Sequence, residues 1–256
     1  IKWRHGPDKK IQWTSMHSAA MQSGTSAIVA AVGSGFNKKL VRSSDSGKTW
    51  ELVDDDLKNY LFVSFHPERR NLVYADDKRS LNSGKTFKPI SFLVQRSASI
   101  IGFCRTCPDT VYAIDKQRKT VFRSDDAGKT WREYTSPGWA LARHDSKPTF
   151  AADPVEPSII YSIDRNGDLA VFNGTTWDTL HVIKEAGGRQ PGNFVRAVAV
   201  DPNNPNVIYA GLHTPGTETV WRSTDRGKTW ENITYNLPRL GVKGININPH
   251  TGEILI

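Results

Sequence analysis

An eight-residue motif, Ser-x-Asp/Asn-x-Gly-Lys-Thr-aromatic, occurs four times in this chain of 256 residues. The copies read SSDSGKTW at 43–50, SLNSGKTF at 80–87, SDDAGKTW at 124–131 and STDRGKTW at 223–230. Motifs repeated roughly every 20–50 residues are typical of solenoids, propellers and arrays, in which each repeat is one supersecondary unit. This repeat constrains the fold more than any other feature of the sequence.

Each copy of the motif lies between two β-rich segments, such as 120–123 and 131–134 around the third copy. Ser and Asp side chains accept hydrogen bonds from nearby backbone N–H groups, and Gly supplies the positive φ of a tight reversal. The Thr and the aromatic residue then begin the next strand. We therefore predict a hairpin turn whose polar atoms are occupied by the turn itself and whose role is structural. The predicted structural residues are Ser43, Asp45, Gly47, Trp50, Ser80, Asn82, Gly84, Phe87, Ser124, Asp126, Gly128, Trp131, Ser223, Asp225, Gly227 and Trp230.

The motif resembles the Asp-box, or bacterial neuraminidase repeat, of sialidases, xyloglucanase-type hydrolases, sortilin-type receptors and a photosystem assembly factor. The resemblance implies a β-propeller, because all of these proteins have that fold. It implies little about function, because these families share little beyond the blade. The run from Asp201 to Gly211 resembles blades of both the sortilin type and the xyloglucanase type.

A second repeat consists of an apolar strand, a turn that contains proline, and another apolar strand. Its prolines, Pro67, Pro108, Pro154, Pro202 and Pro249, are 41, 46, 48 and 47 residues apart. This spacing matches the roughly 40–50 residues of a four-stranded propeller blade. Each blade is thus predicted as strand A, Pro turn, strand B, a variable loop, strand C, box turn and strand D.

The sequence predicts an all-β β-propeller of four-stranded antiparallel blades with Asp-box turns, five of them visible and a sixth begun. We expect a single domain over 1–256, with blades at about 18–53, 58–90, 97–134, 147–180 and 193–233 and a partial blade at 241–256. In the fourth blade, 173–176 replaces the box by a two-residue hairpin of the Asn-Gly type. The sixth blade lacks strands C and D, so we expect a fragment of a longer chain with six or more blades.

Composition limits the classes of partner. The formal net charge of +8 favours acidic partners without choosing among them. We expect a glycan or protein ligand, possibly anionic, and no nucleic acid. No stretch approaches the roughly 18 apolar residues of a membrane span. The chain opens at Ile1 without a signal peptide, and we expect a processed product or an excised segment that is secreted or lumenal.

The loops between strands B and C, together with those between blades, are expected at the end of each blade opposite the boxes. Three of them carry an acid soon after the tyrosine of strand B: Asp76, Asp115 and Asp164. Basic residues follow these acids, and two interpretations stay open: solvated charges that pair with neighbours, or a ring of charges that grips an anionic or polyhydroxylated ligand. The predicted ligand-binding bases are Lys78, Arg79, Lys116, Arg118 and Arg165.

The connection from 135 to 147 contains Trp139 and Arg143. An exposed Trp beside basic residues is typical of sugar or peptide sites, so both are candidate ligand-binding residues. Packing of Trp139 under its own loop is the alternative. Asp115 and Asp164 are weak catalytic candidates, because glycoside hydrolysis needs two carboxylates across a cleft. The Arg-Ile-Pro signature of sialidases is missing, so the resemblance supplies no catalytic residue.

Two cysteines, Cys104 and Cys107, form the one CxxC pair. A zinc site needs two further ligands, which the sequence does not supply nearby, so we expect a local disulfide or a pair of buried thiols. Every Gly-Lys-Thr belongs to a box and leads into a strand, so no phosphate-binding loop is predicted. We expect no metal and no cofactor.

Two functions follow from these observations. The first is a non-catalytic recognition or scaffold propeller of the sortilin type, which binds a glycan or protein through the loops opposite the boxes. The alternative is a glycoside hydrolase of the Asp-box class, either xyloglucanase-like or sialidase-like. The sequence favours the non-catalytic function, and an enzyme of this chain would be a glycoside hydrolase.

Overall fold

A computed structural model of the chain is built almost wholly of short antiparallel strands. It describes residues 16–34, 37–55, 62–104, 106–115, 117, 120–135, 149–164, 166–187, 193–214, 218–238 and 240–256. Within these residues there are 22 strands and two short helices. The strands form five four-stranded sheets and one two-stranded sheet, which confirms the predicted all-β fold of four-stranded blades.

The chain divides into two compact units, the first covering residues 1–101 and 112–115 and the second covering 102–111 and 116–256. The first unit holds two complete sheets, each with its strands in chain order. The first sheet contains β1 (Met16–Met21), β2 (Ile28–Ser34), β3 (Asn37–Ser43) and β4 (Glu51–Asp54). The second sheet contains β5 (Val63–Phe65), β6 (Val73–Ala75), β7 (Lys78–Ser80) and β8 (Lys88–Pro89).

Residues of both units contribute to the third sheet. Its strands are β9 (Ala98–Phe103), β10 (Val111–Asp115), β11 (Thr120–Ser124) and β12 (Arg132–Thr135). They again follow one another in chain order across the sheet. The sheet therefore repeats the meander of the first two, as the motif spacing predicts.

The second unit holds the remaining sheets. The fourth sheet contains β13 (Ala151–Ala152), β14 (Ile160–Ile163), β15 (Leu169–Phe172) and β16 (Trp177–Thr179). The fifth sheet contains β17 (Val195–Asp201), β18 (Asn204–Leu212), β19 (Val220–Ser223) and β20 (Glu231–Asn232). The two-stranded sheet pairs β21 (Asn246–Ile247) with β22 (Ile254–Leu255) and corresponds to the begun sixth blade.

Burial differs systematically across each sheet. The second strands, β6, β10 and β14, are buried at every residue, whereas the last strands, β8 and β12, contain no buried residue. A strand buried on both faces reads as a continuous apolar run, which is why the Val-Tyr-Ala segments stand out in the sequence. Each unit has its own apolar core between neighbouring sheets. In the first unit the core includes Val29, Leu40, Val63 and Val73, and in the second it includes Tyr161, Leu169, Val195, Ile208 and Trp221.

Two connections between strands B and C are shorter than the variable loops that the sequence predicts there. The segment 33–39 is largely paired, because the β2–β3 ladder continues to Ser34 and Asn37. The segment 76–79 is shortened in the same way, because Ala75 pairs with Lys78. Asp76 adopts a φ of 50°, and this left-handed conformation lets two residues reverse the chain. Lys78 and Arg79 consequently lie in strand β7.

Two short helices occupy connections between sheets, where the sequence predicts only loops. Helix α1 (Ser91–Gln95) joins the second sheet to the third, and α2 (Val182–Glu185) joins the fourth to the fifth. Leu93 of α1 and Val182 of α2 are fully buried, so each helix covers part of an apolar core. No helix in the described part of the chain is long and apolar enough to cross a membrane.

Candidate functional site

The Asp-box turns satisfy their own polar groups. In the first box the Ser43 Oγ donates to Asp45 Oδ1 at 2.7 Å and accepts from the Gly47 N–H at 2.8 Å. Asp45 accepts from the backbone N–H of Thr49 at 2.9 Å and from its hydroxyl at 2.6 Å. The Trp50 indole donates to the Gly47 carbonyl at 3.1 Å. The boxes at 124–131 and 223–230 repeat these hydrogen bonds, so their carboxylates are committed to the turn.

These hydrogen bonds act on the acidity of the box carboxyls. The two bonds from Thr49, with that from Ser43, hold the pKa of Asp45 at about 2. The two bonds from Thr229 do the same for Asp225, whose pKa is also about 2. Burial works in the opposite direction at Asp126, yet the bonds from Thr130 and Ser124 still hold its pKa at about 2. A hydrogen bond donated to a carboxylate favours the charged form.

The box also binds the A–B turn of its own sheet. The residue before the box Gly has a positive φ at all four boxes, between 58° and 62°. Its backbone N–H donates to a carbonyl of the A–B turn, as Ser46 does to Ser26 at 3.0 Å and Ser83 does to Asn71 at 2.9 Å. The two turns therefore lie at one end of the sheet. The B–C connections and the connections between sheets lie at the opposite end, which we call the B–C end.

The fourth sheet replaces the box with a shorter corner. The Asn173 N–H donates to the Thr176 carbonyl at 3.1 Å, with Gly174 at a φ of 95°. The Asn173 Oδ1 accepts from the N–H groups of Thr175 and Thr176 at 3.0 and 2.9 Å. The central residues of the two-residue hairpin are Gly174 and Thr175, and Asn173 takes the place of the box Asp.

Asp76 at the B–C end of the second sheet lies in a different environment from that of the box acids. Its side chain is 3% exposed, and Oδ1 accepts one hydrogen bond, from the Phe62 N–H at 3.2 Å. Oδ2 is buried without a hydrogen-bond partner in the described part of the chain. Burial, with a smaller contribution from the charge of Asp77, raises the pKa of Asp76 well above its usual range, against the opposing effects of Phe62, Lys38 and Lys78.

Lys78, a predicted ligand-binding base, is engaged within the protein. Its ammonium donates to both oxygens of Asp54, at 2.9 and 2.8 Å, and the two side chains are 11% and 13% exposed. The ion pair joins β7 of the second sheet to β4 of the first, so Lys78 stabilises the first unit. Arg79 follows on β7 and is half-buried.

Two carboxyls lie close together at the B–C end of the fourth sheet. Asp164, one of the sequence candidates, accepts from the N–H groups of Asn166 and Asp168 at 2.7 and 3.0 Å and from the Thr179 hydroxyl at 3.1 Å. Asp168 accepts from the N–H groups of Leu169 and Ile183 at 2.8 and 3.2 Å. Burial raises the pKa of Asp168 despite these bonds, and Asp164 adds to the effect. Asp164 thus organises the turn.

The structure places the other sequence candidates as follows. Asp115 ends β10 and is 2% exposed, in the same unit as Asp76. Five predicted ligand-binding residues lie outside the described residues: Lys116, Arg118, Trp139, Arg143 and Arg165.

The cysteine pair holds no disulfide. Cys104 is buried and Cys107 is partly buried, and both are free. The Cys104 Sγ lies 3.6 Å from the backbone oxygens of Asp153 and Pro154. Burial raises the pKa of the Cys104 thiol to about 12, as does its neighbour Cys107. The described residues contain no group of three or more His, Cys, Asp or Glu side chains placed to hold a metal ion.

Sequence reasoning noted Asp76 as a loop acid but did not predict its burial, and it missed Asp168 altogether. Each carboxyl belongs to a short turn that follows a fully buried strand: Asp76 follows β6, and Asp168 follows β14. The available signal was the shortness of the B–C connection in the second sheet, where five residues separate Tyr74 from Ser80. Because this connection is so short, its first acid, Asp76, stays against the core.

Comparisons with known proteins agree with this architecture. The family model described as the BNR-Asp box repeat matches residues 220–233, which include the box at 223–230. A xyloglucanase of Paenibacillus sp is 29% identical over 127 residues, covering 44% of this chain and 12% of that protein. Xyloglucanase Xgh74A of Acetivibrio thermocellus is 31% identical over 97 residues, covering 33% of this chain and 11% of that protein.

Solved structures show the fold. The GH74 xyloglucanase from Xanthomonas campestris superimposes with a TM-score of 0.67 at 17% identity, covering 93% of this chain and 42% of that one. YCF48 from Cyanidioschyzon merolae superimposes with a TM-score of 0.57 at 15% identity, covering 87% and 74% of the two chains. This chain therefore spans less than half of the xyloglucanase structure. The sequence relatives favour the predicted hydrolase over the predicted sortilin-type receptor.

Proposed function

Because the chain is an Asp-box β-propeller similar in sequence to xyloglucanases, we propose that it is part of a glycoside hydrolase that acts on a xyloglucan-type polysaccharide. The observation that carries this proposal is the 29% identity to a xyloglucanase over 127 residues. A polysaccharide substrate of this kind lies outside the cell, so we propose an extracytoplasmic location. The substrate is neutral, and the basic surface is not required for this activity.

Glycoside hydrolysis needs a carboxylic acid that stays protonated near neutral pH and a second carboxylate that stays ionised. Within the described residues, Asp76 fits the first requirement best, because burial raises its pKa and Oδ2 has no partner there. We assign the general acid to Asp76. For the second carboxylate we propose Asp115, which ends a buried strand in the same unit.

Asp164 is the weaker of the two sequence candidates. Its two oxygens already accept three hydrogen bonds from its own sheet. Replacing it would remove the acceptor for the turn at 164–168, so we propose a structural role. We keep as a proposal that six further residues contact the glycan: Arg79, Lys116, Arg118, Arg165, Trp139 and Arg143.

The test is release of reducing ends from xyloglucan by the wild-type protein and by Asp76→Asn. Asn keeps an oxygen to accept the Phe62 N–H but has no acidic proton to transfer to the leaving group. We expect kcat to fall by about 10²–10⁴-fold, the usual contribution of a general acid, with KM changed little. Asp45→Asn, which removes a partly exposed carboxylate from a box, is the matched control and should keep full activity.

The outcomes separate the possible functions. Binding of xyloglucan without any turnover by the wild-type protein would contradict the hydrolase proposal and favour the recognition propeller. Turnover that Asp76→Asn leaves unchanged would keep the hydrolase and reject Asp76 as its acid. Asp115→Asn tests the second carboxylate in the same assay, with an expected loss of similar size.

A further inference from the structure

A group of nitrogen-bearing side chains lies at the B–C end of the fifth sheet, apart from the carboxyls described above. An Arg196 Nη of β17 lies 2.8 Å from the Nδ1 of His213, which follows β18. The His213 ring stacks on Phe194, with centroids 4.6 Å apart and planes at 31°. Lys243, in the segment after β20, is exposed and acts electrostatically on His213. We call Phe194, Arg196, His213 and Lys243 the fifth-sheet cation cluster.

Within the part of the chain that the structure describes, the cations of the cluster pair with no acid. Neither Arg196 nor Lys243 forms an ion pair with a carboxylate in the described part of the chain. Arginines elsewhere do, as Arg42 pairs with Glu51 at 2.9 Å and Arg123 pairs with Asp125 at 2.7 Å. The positive charges of Arg196 and Lys243 repel one another. An anion bound near both would offset this repulsion.

The hydrogen-bonding roles in the cluster leave several donors without an acceptor among the described residues. Arginine has no acceptor, so its N–H donates to His213 Nδ1 and the proton of a neutral imidazole is on Nε2. Arg196 keeps further N–H groups, Lys243 has three, and His213 offers its Nε2–H. Burial, with the charges of Arg196 and Lys243, lowers the pKa of His213, which keeps the ring neutral at pH 7. A set of donors without acceptors suits an oxyanion.

Backbone contacts fix the main-chain positions of these residues. The His213 N–H donates to the Phe194 carbonyl at 2.9 Å, and the Val242 N–H donates to the Leu212 carbonyl at 2.8 Å. A Cβ at position 241 would overlap the His213 carbonyl oxygen, so Gly241 permits the close approach of the segment that carries Lys243. The Thr149 hydroxyl donates to the Arg196 carbonyl at 2.9 Å. The backbone segments that carry the donors are thus held together before any ligand arrives.

A buried polar group without a partner lies beside the cluster. Asn193, which precedes Phe194, is 2% exposed. Neither its Oδ1 nor its Nδ2 has a hydrogen-bond partner among the residues that the structure describes. Such groups are uncommon in folded proteins and call for a specific reason, of which a functional site is one.

We propose that the fifth-sheet cation cluster binds an oxyanion, the carboxylate of an acidic sugar, with the sugar ring packed beside Phe194. A planar guanidinium and an ammonium bind the carboxylate, and the imidazole Nε2–H completes the set of donors. The half-buried ring of Phe194 offers an apolar surface of the kind found in sugar sites. This inference does not rest on hydrolysis of xyloglucan, which is a neutral polymer.

Binding of an anion should be visible at His213. The charged groups that act on its ring in the described residues are Arg196 from β17 and Lys243 from the segment after β20. A bound carboxylate offsets both cations and favours the imidazolium, so the pKa of His213 should rise on binding. By the same linkage, binding should tighten as the pH falls through that pKa, and should weaken with salt.

The experiment is an NMR titration of the His213 ring against pH, with no addition, with trigalacturonate, with inorganic sulfate and with a neutral xyloglucan oligosaccharide. We expect trigalacturonate to raise the pKa of His213 and the neutral oligosaccharide to leave it unchanged. The double variant Arg196→Gln/Lys243→Gln should weaken trigalacturonate binding by about tenfold or more, because it removes two charge-assisted contacts. Lys228→Gln, which removes an exposed charge at the box end of the same sheet, should bind like wild type.

Each outcome decides the proposal. A rise in the pKa of His213 with trigalacturonate but not with sulfate assigns the anion to an acidic sugar. An equal rise in this pKa with trigalacturonate and with sulfate supports the oxyanion site and shows that a free anion is enough to occupy it. The proposal is overturned if neither anion moves the pKa, or if the double variant binds trigalacturonate as tightly as wild type. The wild-type titration gives this answer even if the double variant fails to fold.

Discussion

Aspartate side chains have opposite pKa shifts at the two ends of the sheets. At the box end, Asp45, Asp126 and Asp225 receive several hydrogen bonds each, and their pKa values are about 2. At the B–C end, Asp76 and Asp168 are buried, and their pKa values are raised. One end uses carboxylates to close a turn and keeps them ionised. The other end buries these two carboxyls, which favours their neutral form.

The largest loss of stability should come from adding a methyl group at a box glycine. Gly84 has a φ of 80°, and a Cβ there would lie 2.5 Å from Val29 Cγ2. We expect Gly84→Ala to lower the free energy of unfolding by about 3 kcal/mol, because left-handed strain and overpacking add. Chemical denaturation measures this loss.

Gly24→Ala is the control for that variant. Gly24 has a φ of 70°, but a Cβ there would meet no other atom within 4 Å, so strain alone should cost about 1 kcal/mol. Equal losses at the two positions would show that the box does not pack against the neighbouring strand as described.

A second effect concerns the B–C end, where Lys78 and Asp54 form a largely buried ion pair. Lys78→Gln leaves the Asp54 carboxylate without its partner, so we expect a loss of about 2 kcal/mol in the free energy of unfolding. Lys85→Gln, an exposed box lysine, should change stability very little. If Lys78→Gln kept full stability and lost xyloglucan binding, the ligand-binding role that the sequence predicts for Lys78 would be right.

A third prediction compares the stability lost by replacing two neighbouring serines of the first box. Ser43 is 1% exposed and its hydroxyl accepts two backbone N–H groups, whereas Ser44 is exposed. Ser43→Ala should lower the free energy of unfolding by about 1–2 kcal/mol, because buried donors lose their acceptor. Ser44→Ala should be close to neutral, and the same loss at both sites would argue against the turn geometry.

The smallest effect is a change in acid stability. Because folding lowers the pKa of Asp45 from 3.8 to about 2, its contribution is present above about pH 4 and is lost as the pH falls towards 2. Asp45→Asn should therefore flatten the pH dependence in this window while keeping the fold, as Asn82 does naturally in the second box. Urea unfolding between pH 2 and pH 5 measures the slope. An unchanged slope would contradict the lowered pKa.

The sequence predicts the box end well, because every bond in it is local. Ser, Asp, Gly, Thr and Trp within eight residues specify the turn, and Gly174 specifies its replacement in the fourth sheet. What the motif does not specify is the positive φ of the residue before the Gly, such as Ala127 at 58°. That conformation follows from docking onto the A–B turn, which is a contact between separate segments.

The B–C end is harder to predict, because its properties arise from burial. The sequence places Asp76, Asp115 and Asp164 after strand B but does not distinguish them. The structure does, because Asp164 is occupied by Asn166, Asp168 and Thr179 whereas Asp76 keeps one unpartnered oxygen in the described residues. Ion pairing between sheets decides the role of Lys78 in the same way.

Direct titration of the carboxyl carbons by NMR tests the contrast between the two ends in one sample. Asp45→Asn and Asp76→Asn assign the two signals by their disappearance. We expect Asp45 to titrate near pH 2 and Asp76 well above pH 3.8. If Asp76 instead titrates together with Asp45, the B–C end does not protect a neutral carboxyl, and the assignment of the general acid fails with it.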